Sequence, residues 1–141
     1  MRLGTMLGDV ARSLIRRPAT RPYPAERPAT PPRLRGLLHW EPERCTGCRV
    51  CVMDCPADAL ELFVIDKATH RFVMRYDAAR CTFCAQCVES CNRGCLSLSN
   101  DEWELAGPDR DAFISHFGSP DDVEQVVAAD AEGDARPPRR Q

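Results

Sequence analysis

The chain is poor in aromatic side chains, with two Trp, two Tyr and five Phe in 141 residues. That shortage limits the surface it can bury, so part of it is expected to lie outside any packed core. No apolar run approaches the roughly 20 residues that a bilayer-crossing helix needs. Gly8 and Asp9 interrupt the stretch where a secretory signal would keep its apolar centre. There is no G-x-G-x-x-G and no G-x-x-x-x-G-K-[ST], which argues against a dinucleotide or nucleoside triphosphate site. The length leaves no room for a nucleotide-binding domain beside a separate catalytic domain. Twelve prolines and eight glycines leave few long regular elements.

Cysteine is the exception to this scarcity. There are nine, an odd count that does not complete an internal disulfide framework. All lie between positions 45 and 95. The formal net charge of −2 hides a split, because residues 1–40 carry eight Arg against Asp9 and Glu26, a net of +6, and the remainder carries −8. The cysteines occupy the acidic part.

Their spacing repeats. Cys45-x-x-Cys48-x-x-Cys51-x-x-x-Cys55-Pro56 recurs 36 positions later as Cys81-x-x-Cys84-x-x-Cys87-x-x-x-Cys91. The two runs also share Thr46/Thr82, Val52/Val88, Leu60/Leu96 and Leu62/Leu98, an internal duplication. A cubane cluster needs four soft thiolates converging on one small cage. Two-residue spacings let a tight loop present three sulfurs to one face. The fourth cysteine is expected to begin a helical turn and point elsewhere, and in duplicated modules it ligates the other cluster. The expected assignment is therefore crossed: Cys45, Cys48, Cys51 and Cys91 hold cluster I, and Cys81, Cys84, Cys87 and Cys55 hold cluster II. Two [4Fe–4S] clusters are the expected cofactors, and the block is expected to fold around them. A zinc ribbon would need only four ligands, and secreted disulfides would not be spaced so regularly.

Two positions depart from the repeat. Asn92 follows Cys91 where Pro56 follows Cys55, which restores one N–H near cluster I. Cys95, the ninth thiol, overlays Ala59 and reads as a small buried hydrophobe, with a ligand role as its alternative. Around the block, Leu60–Ile65 and Arg71–Tyr76 read as strands joined by a turn. Short strands are expected near Leu37–Trp40 and Leu96–Ser99, giving two βαβ-like halves about a pseudo-twofold axis. The fold class is α+β.

The flanks divide the chain further. Leu3, Met6, Leu7, Val10 and Leu14 trace an amphipathic helix over 1–17 that carries Arg12, Arg16 and Arg17 and stops at Pro18. A basic amphipathic helix of this kind suits a membrane surface or a partner. Residues 18–36 hold six prolines and the arginines 21, 27, 33 and 35, an extended arm expected to wrap a neighbouring subunit. Nucleic acid is not an expected partner, since only Tyr23 interleaves with these charges. Residues 37–106 form the cluster domain and 107–141 a C-terminal extension. Asp109–Phe117 is expected as one helical stretch, and the chain from Asp121 as largely mobile. His39, His70 and His116 show no ligand spacing and read as surface residues. Trp40 and Trp103 read as packing groups, and no residue is expected to be catalytic.

The paired cysteine runs resemble a two-cluster bacterial ferredoxin. RRPATRPYP (16–24), PPRLRGLLHWEPERC (31–45) and RCTFCAQCVESC (80–91) are similar to the two-[4Fe–4S] subunit shared by respiratory complex I (subunit I, TYKY-type) and group 4 membrane-bound [NiFe] hydrogenases. LSLSNDEWELA (96–106) leans toward the hydrogenase or formate hydrogenlyase branch. The resemblance covers roughly residues 5–117. It implies an electron-transfer subunit, not catalytic alone, that relays single electrons within a membrane-bound oxidoreductase. It further implies a [NiFe]-hydrogenase-like or quinone-site large subunit as partner, and a peripheral location on the cytoplasmic membrane face. The alternatives are complex I subunit I proper, or a free soluble ferredoxin that makes no use of the first 40 residues.

Overall fold

A computed structural model describes residues 4 and 6–131. Leu3 of the amphipathic pattern, and residues 132–141 of the segment expected to be mobile, lie outside the described residues. Helix α1 (Leu7–Ile15) stands first, shorter than the 1–17 pattern, and none of its residues is buried. Strand β1 (Leu38–Trp40) leads through a 3₁₀ turn, Pro42–Arg44, into the first cysteine loop and the short helix α2 (Val50–Met53). Strands β2 (Leu60–Asp66) and β3 (Arg71–Asp77) follow, then the second cysteine loop with α3 (Gln86–Glu89) and β4 (Leu96–Leu98).

The halves interlock. β1 pairs antiparallel with β4, setting Leu38 opposite Leu98 and Trp40 opposite Leu96. β2 and β3 form a hairpin with Leu60 opposite Tyr76 and Leu62 opposite Met74. Its turn is closed by Asp66, which accepts from the Ala68 N–H at 2.9 Å and the Thr69 hydroxyl at 2.5 Å. Strand alternation sends Leu60, Leu62, Phe72, Met74 and Tyr76 to one face, where they meet Leu38, Trp40, Leu96 and the buried Cys45, Cys51 and Cys95 in a single core. Met74 is wholly buried there. Met74→Ala is expected to cost about 2–5 kcal/mol as a large-to-small core change, read as a lower urea midpoint of the metal-loaded protein.

Three expectations are corrected. Each short helix carries the third cysteine of its run and ends before the fourth, so the fourth does not begin a helical turn. Asp109–Phe117 is not one helix: a 3₁₀ turn at Asp111–Phe113 leads into β5 (Ile114–Phe117). β5 pairs with the free edge of β3, Met74 opposite Phe117 and Asp77 opposite Ile114. An edge offering unpaired backbone groups decides that conformation over local pattern. The chain from Asp121 is not patternless either, since α4 (Pro120–Ala131) forms there. Asp121 and Asp122 sit in its first turn, where negative charge suits the helix dipole. α4 packs on β3 and buries Val126 and Asp122. The Asp122 carboxylate is gripped by the Arg71 guanidinium through two hydrogen bonds, the Nε bond at 3.1 Å.

The arm returns to its own domain. Gly36 N–H donates to the Ser99 carbonyl at 2.6 Å and Leu37 N–H to that of Glu102 at 2.7 Å. A Cβ at Gly36 would stand 2.3 Å from the Glu102 carbonyl oxygen, so this approach needs glycine. Arg27 pairs with Glu104 at 3.2 Å and donates to the Asp101 carbonyl at 2.9 Å. Tyr23 donates to Glu104 and sets its ring 6.1 Å from that of Trp103. Residues 23–37 thus contact the segment 99–104 of the same chain.

Candidate iron–sulfur centres

Both cysteine loops are built the same way. Gly47 and Arg49 in the first have φ of +68° and +63°, and Phe83 and Ala85, 36 positions on, have +52° and +66°. These left-handed residues turn the loop back on its first sulfur. Gly47 N–H lies 3.4 Å from the Cys45 Sγ, and Phe83 N–H lies 3.3 Å from the Cys81 Sγ. At position 47 a side chain has no room, since a Cβ would approach the Phe72 ring to 2.6 Å. After each short helix the fourth cysteine is carried across to the other half.

Two hollows result. One is lined by Cys45, Cys48, Cys51 and Cys91, with Cys95 and Trp40 also on its wall. The other is lined by Cys55, Cys81, Cys84 and Cys87, with Tyr76 on its wall. Each hollow thus gathers three cysteines from one run and the fourth from the other. Among the described residues, no three His, Cys, Asp or Glu side chains meet closely enough to hold a single metal ion; the thiols ring a space instead. A larger cavity, about 540 Å³, contains no cysteine and is lined by paired charges such as Arg75–Glu61 and Arg110–Asp77.

The walls suit a sulfur-rich occupant. The Trp40 indole N–H is buried with no hydrogen-bond partner among the described residues, and a donor left so is costly unless something in the hollow accepts from it. Tyr76 stands 36 positions after Trp40 and holds the same place in the other half. Its phenol is held above the ordinary range by burial and then by the Cys81 thiol. Burial pushes the Cys51 thiol up to about 12, reinforced by Cys45, Cys48 and, from the second run, Cys87. Burial, then Cys81, pushes Cys87 up to about 11. These thiols are protonated at neutral pH until metal replaces the proton, so loading releases protons and weakens as pH falls. Cys84 is lowered, first by the Gln86 N–H, and it is exposed, as is Cys48.

Several residues that spacing alone does not mark also support the loops. Arg35, on the arm, donates to the Cys84 carbonyl at 3.1 Å. Arg44 donates to the Arg93 carbonyl at 3.0 Å, tying the first loop to the second half. His70, an exposed residue, places Nδ1 3.1 Å from the Cys45 carbonyl, which fits an Nδ1–H donor. Cys95 is buried with its Sγ 3.3 Å from the Cys91 Sγ. Burial and then the bond to Cys91 push its thiol up to about 12. The overlay of Cys95 on Ala59 is the one signal in the sequence for any of these.

Comparison with known proteins agrees with this geometry. A family model described as a 4Fe-4S dicluster domain matches residues 44–95. The NAD(P)H-quinone oxidoreductase subunit I of Synechococcus sp. (strain CC9902) is 48% identical over 99 residues, 67% of this chain and 47% of that protein. Its counterpart from Synechococcus sp. (strain JA-3-3Ab) is 40% identical over 121 residues, 81% of this chain and 56% of that protein. The chloroplastic subunit I of Agrostis stolonifera is 46% identical over 102 residues, covering 67% and 54%. The chain spans about half the length of these curated relatives. Among solved structures, a chain of the membrane-bound sulfane sulfur reductase, an archaeal respiratory membrane complex, aligns with a TM-score of 0.58 at 24% identity, covering 89% of this chain and 69% of that one. At that identity the likeness is one of fold.

Proposed function

We propose that the chain, whose residues 44–95 match a 4Fe-4S dicluster domain, is the electron-transfer iron–sulfur subunit of a membrane-bound oxidoreductase of the complex I and group 4 [NiFe] hydrogenase superfamily. The carrying observation is the pair of adjacent cysteine-lined hollows, each completed by a cysteine from the other run. Two bound [4Fe–4S] clusters supply two one-electron couples. In this role Cys45, Cys48, Cys51 and Cys91 hold one, and Cys55, Cys81, Cys84 and Cys87 hold the other.

The chain's own residues do three things. Core side chains such as Leu62, Leu60 and Tyr76 wall the hollows from water, and backbone N–H groups aimed at Cys45, Cys55 and Cys81 offset ligand charge. Cys48 and Cys84 remain exposed, one on each hollow, and mark the edges where a partner's redox centres would approach. Helix α1 leaves Met6, Leu7, Val10, Leu14 and Ile15 exposed beside Arg12 and Arg16, which supports docking at a membrane surface or on a membrane subunit. No helix among the described residues is long and apolar enough to cross a membrane.

The names of the curated relatives favour a quinone-site partner, and the 96–106 segment a [NiFe]-type large subunit; with either partner the proposed role is the same relay. Isolation of the tagged full chain from native membranes is the test. The expected result is a brown complex with about eight iron atoms per chain and a large redox subunit of one of those two kinds. Recovery as a soluble monomer would refute the membrane-complex role, and colourless protein holding zinc would refute the clusters.

A further inference from the structure

The two half-sites are near copies that differ around the fourth ligand at two positions, Asn92 for Pro56 and Cys95 for Ala59, of which only Cys95 brings a second sulfur. Cys55 accepts a hydrogen bond at 3.3 Å from the backbone N–H of Ala59, four residues on, and the methyl of Ala59 adds nothing further. Cys91 has Cys95 at the matching position. It is served by the Cys95 backbone N–H and also faces the Cys95 Sγ at 3.3 Å. Cys95 is only 5% exposed and lines the same hollow as Cys45, Cys48, Cys51 and Cys91. Either sulfur is able to donate when both are thiols, but a metal-bound Cys91 is a thiolate that only accepts. The direction of the bond is then settled, from Cys95 S–H to Cys91 S. Trp40, on the same wall, has a buried indole N–H without a partner among the described residues.

We propose that the Cys95 thiol is a potential-setting residue, donating a hydrogen bond to the Cys91 sulfur so that cluster I has a higher reduction potential than it would have without that donor. This rests on the two-cluster reading of the hollows. Reduction adds negative charge to the centre, and a donor on a ligand sulfur stabilises that charge. Ala59 supplies no such donor, so the two halves are electrically unequal at this position in addition to Asn92. An offset between the two centres biases where a single electron resides.

The test is an electron paramagnetic resonance-monitored redox titration of the full chain with both clusters loaded. Cys95→Ala, the residue of the other half, and Cys95→Val, close to cysteine in size, both remove the donor. Each is expected to shift one midpoint to lower potential and leave the other in place, with iron unchanged at about eight per chain. Cys95→Ser keeps an O–H donor and is expected to hold the midpoint near that of the unmodified chain. Two unmoved midpoints in the Ala and Val variants, with both clusters present, overturn the proposal. So does a fall to about four iron atoms in those variants, which makes Cys95 a ligand. Zinc without iron in the unmodified chain instead defeats the underlying reading.

Discussion

Cys55→Ala is expected to abolish the cluster whose other ligands all lie in the second run, and to leave the first-run cluster in place. Iron should fall from about eight toward about four atoms per chain, the largest spectroscopic loss that a single side chain outside that run can cause. The reason is geometric. α2 ends at Met53, and the chain then carries Cys55 to the wall shared with Cys81, Cys84 and Cys87. The Ala59 N–H fixes the Cys55 sulfur there at 3.3 Å. Cys91→Ala is expected to do the reverse and remove the cluster of Cys45, Cys48 and Cys51. Two references identify each signal: Cys48→Ala loses the first-run cluster, and Cys84→Ala the second-run cluster. Should Cys55→Ala erase the same signal as Cys48→Ala, the ligation is uncrossed.

Stripping iron with a chelator under reducing conditions is expected to unfold the cluster domain as a whole. Cys45, Cys51 and Cys95 belong to the same buried core as Leu60, Met74 and Tyr76, and the two hollows open directly into it. A core this small leans on the bonds that each cluster would make between the two runs, so losing the clusters removes folding free energy that the side chains alone do not replace. Shrinking the hollows would crowd thiols that burial already pushes well above their ordinary range, and the aromatic-poor chain has little else to fill them. Far-ultraviolet circular dichroism should lose its strand signal and the amide proton spectrum its dispersion. A dispersed spectrum that survives complete iron removal would show that the protein core suffices alone.

What the sequence determined by itself was the chemistry and its bookkeeping. Eight thiols at fixed spacings, repeated at an interval of 36, suggest the proposed four ligands per centre and two centres, because loop reach is a local property. The strands were legible for the same reason. Leu60–Ile65 and Arg71–Tyr76 are short apolar and aromatic runs joined by a turn, and the strands found there, Leu60–Asp66 and Arg71–Asp77, differ by one residue each.

The rest depended on what was free to be covered once the hairpin existed. The outer edge of β3 recruited Ile114–Phe117 as β5, although their own pattern reads as helix. The face carrying the fully buried Val73 is the one that alternation turns away from the clusters, and α4 packs on that strand with Asp122 locked to Arg71. The pairing of Gly36 and Leu37 with Ser99 and Glu102 likewise depends on a segment more than 60 positions away. The meeting of Cys91 with Cys95 and of Trp40 with the first hollow has the same origin. Local spacing marks the candidate ligands; only the closed fold sets which donors stand beside them, and hydrogen-bond donors of that kind tune the potentials of such centres.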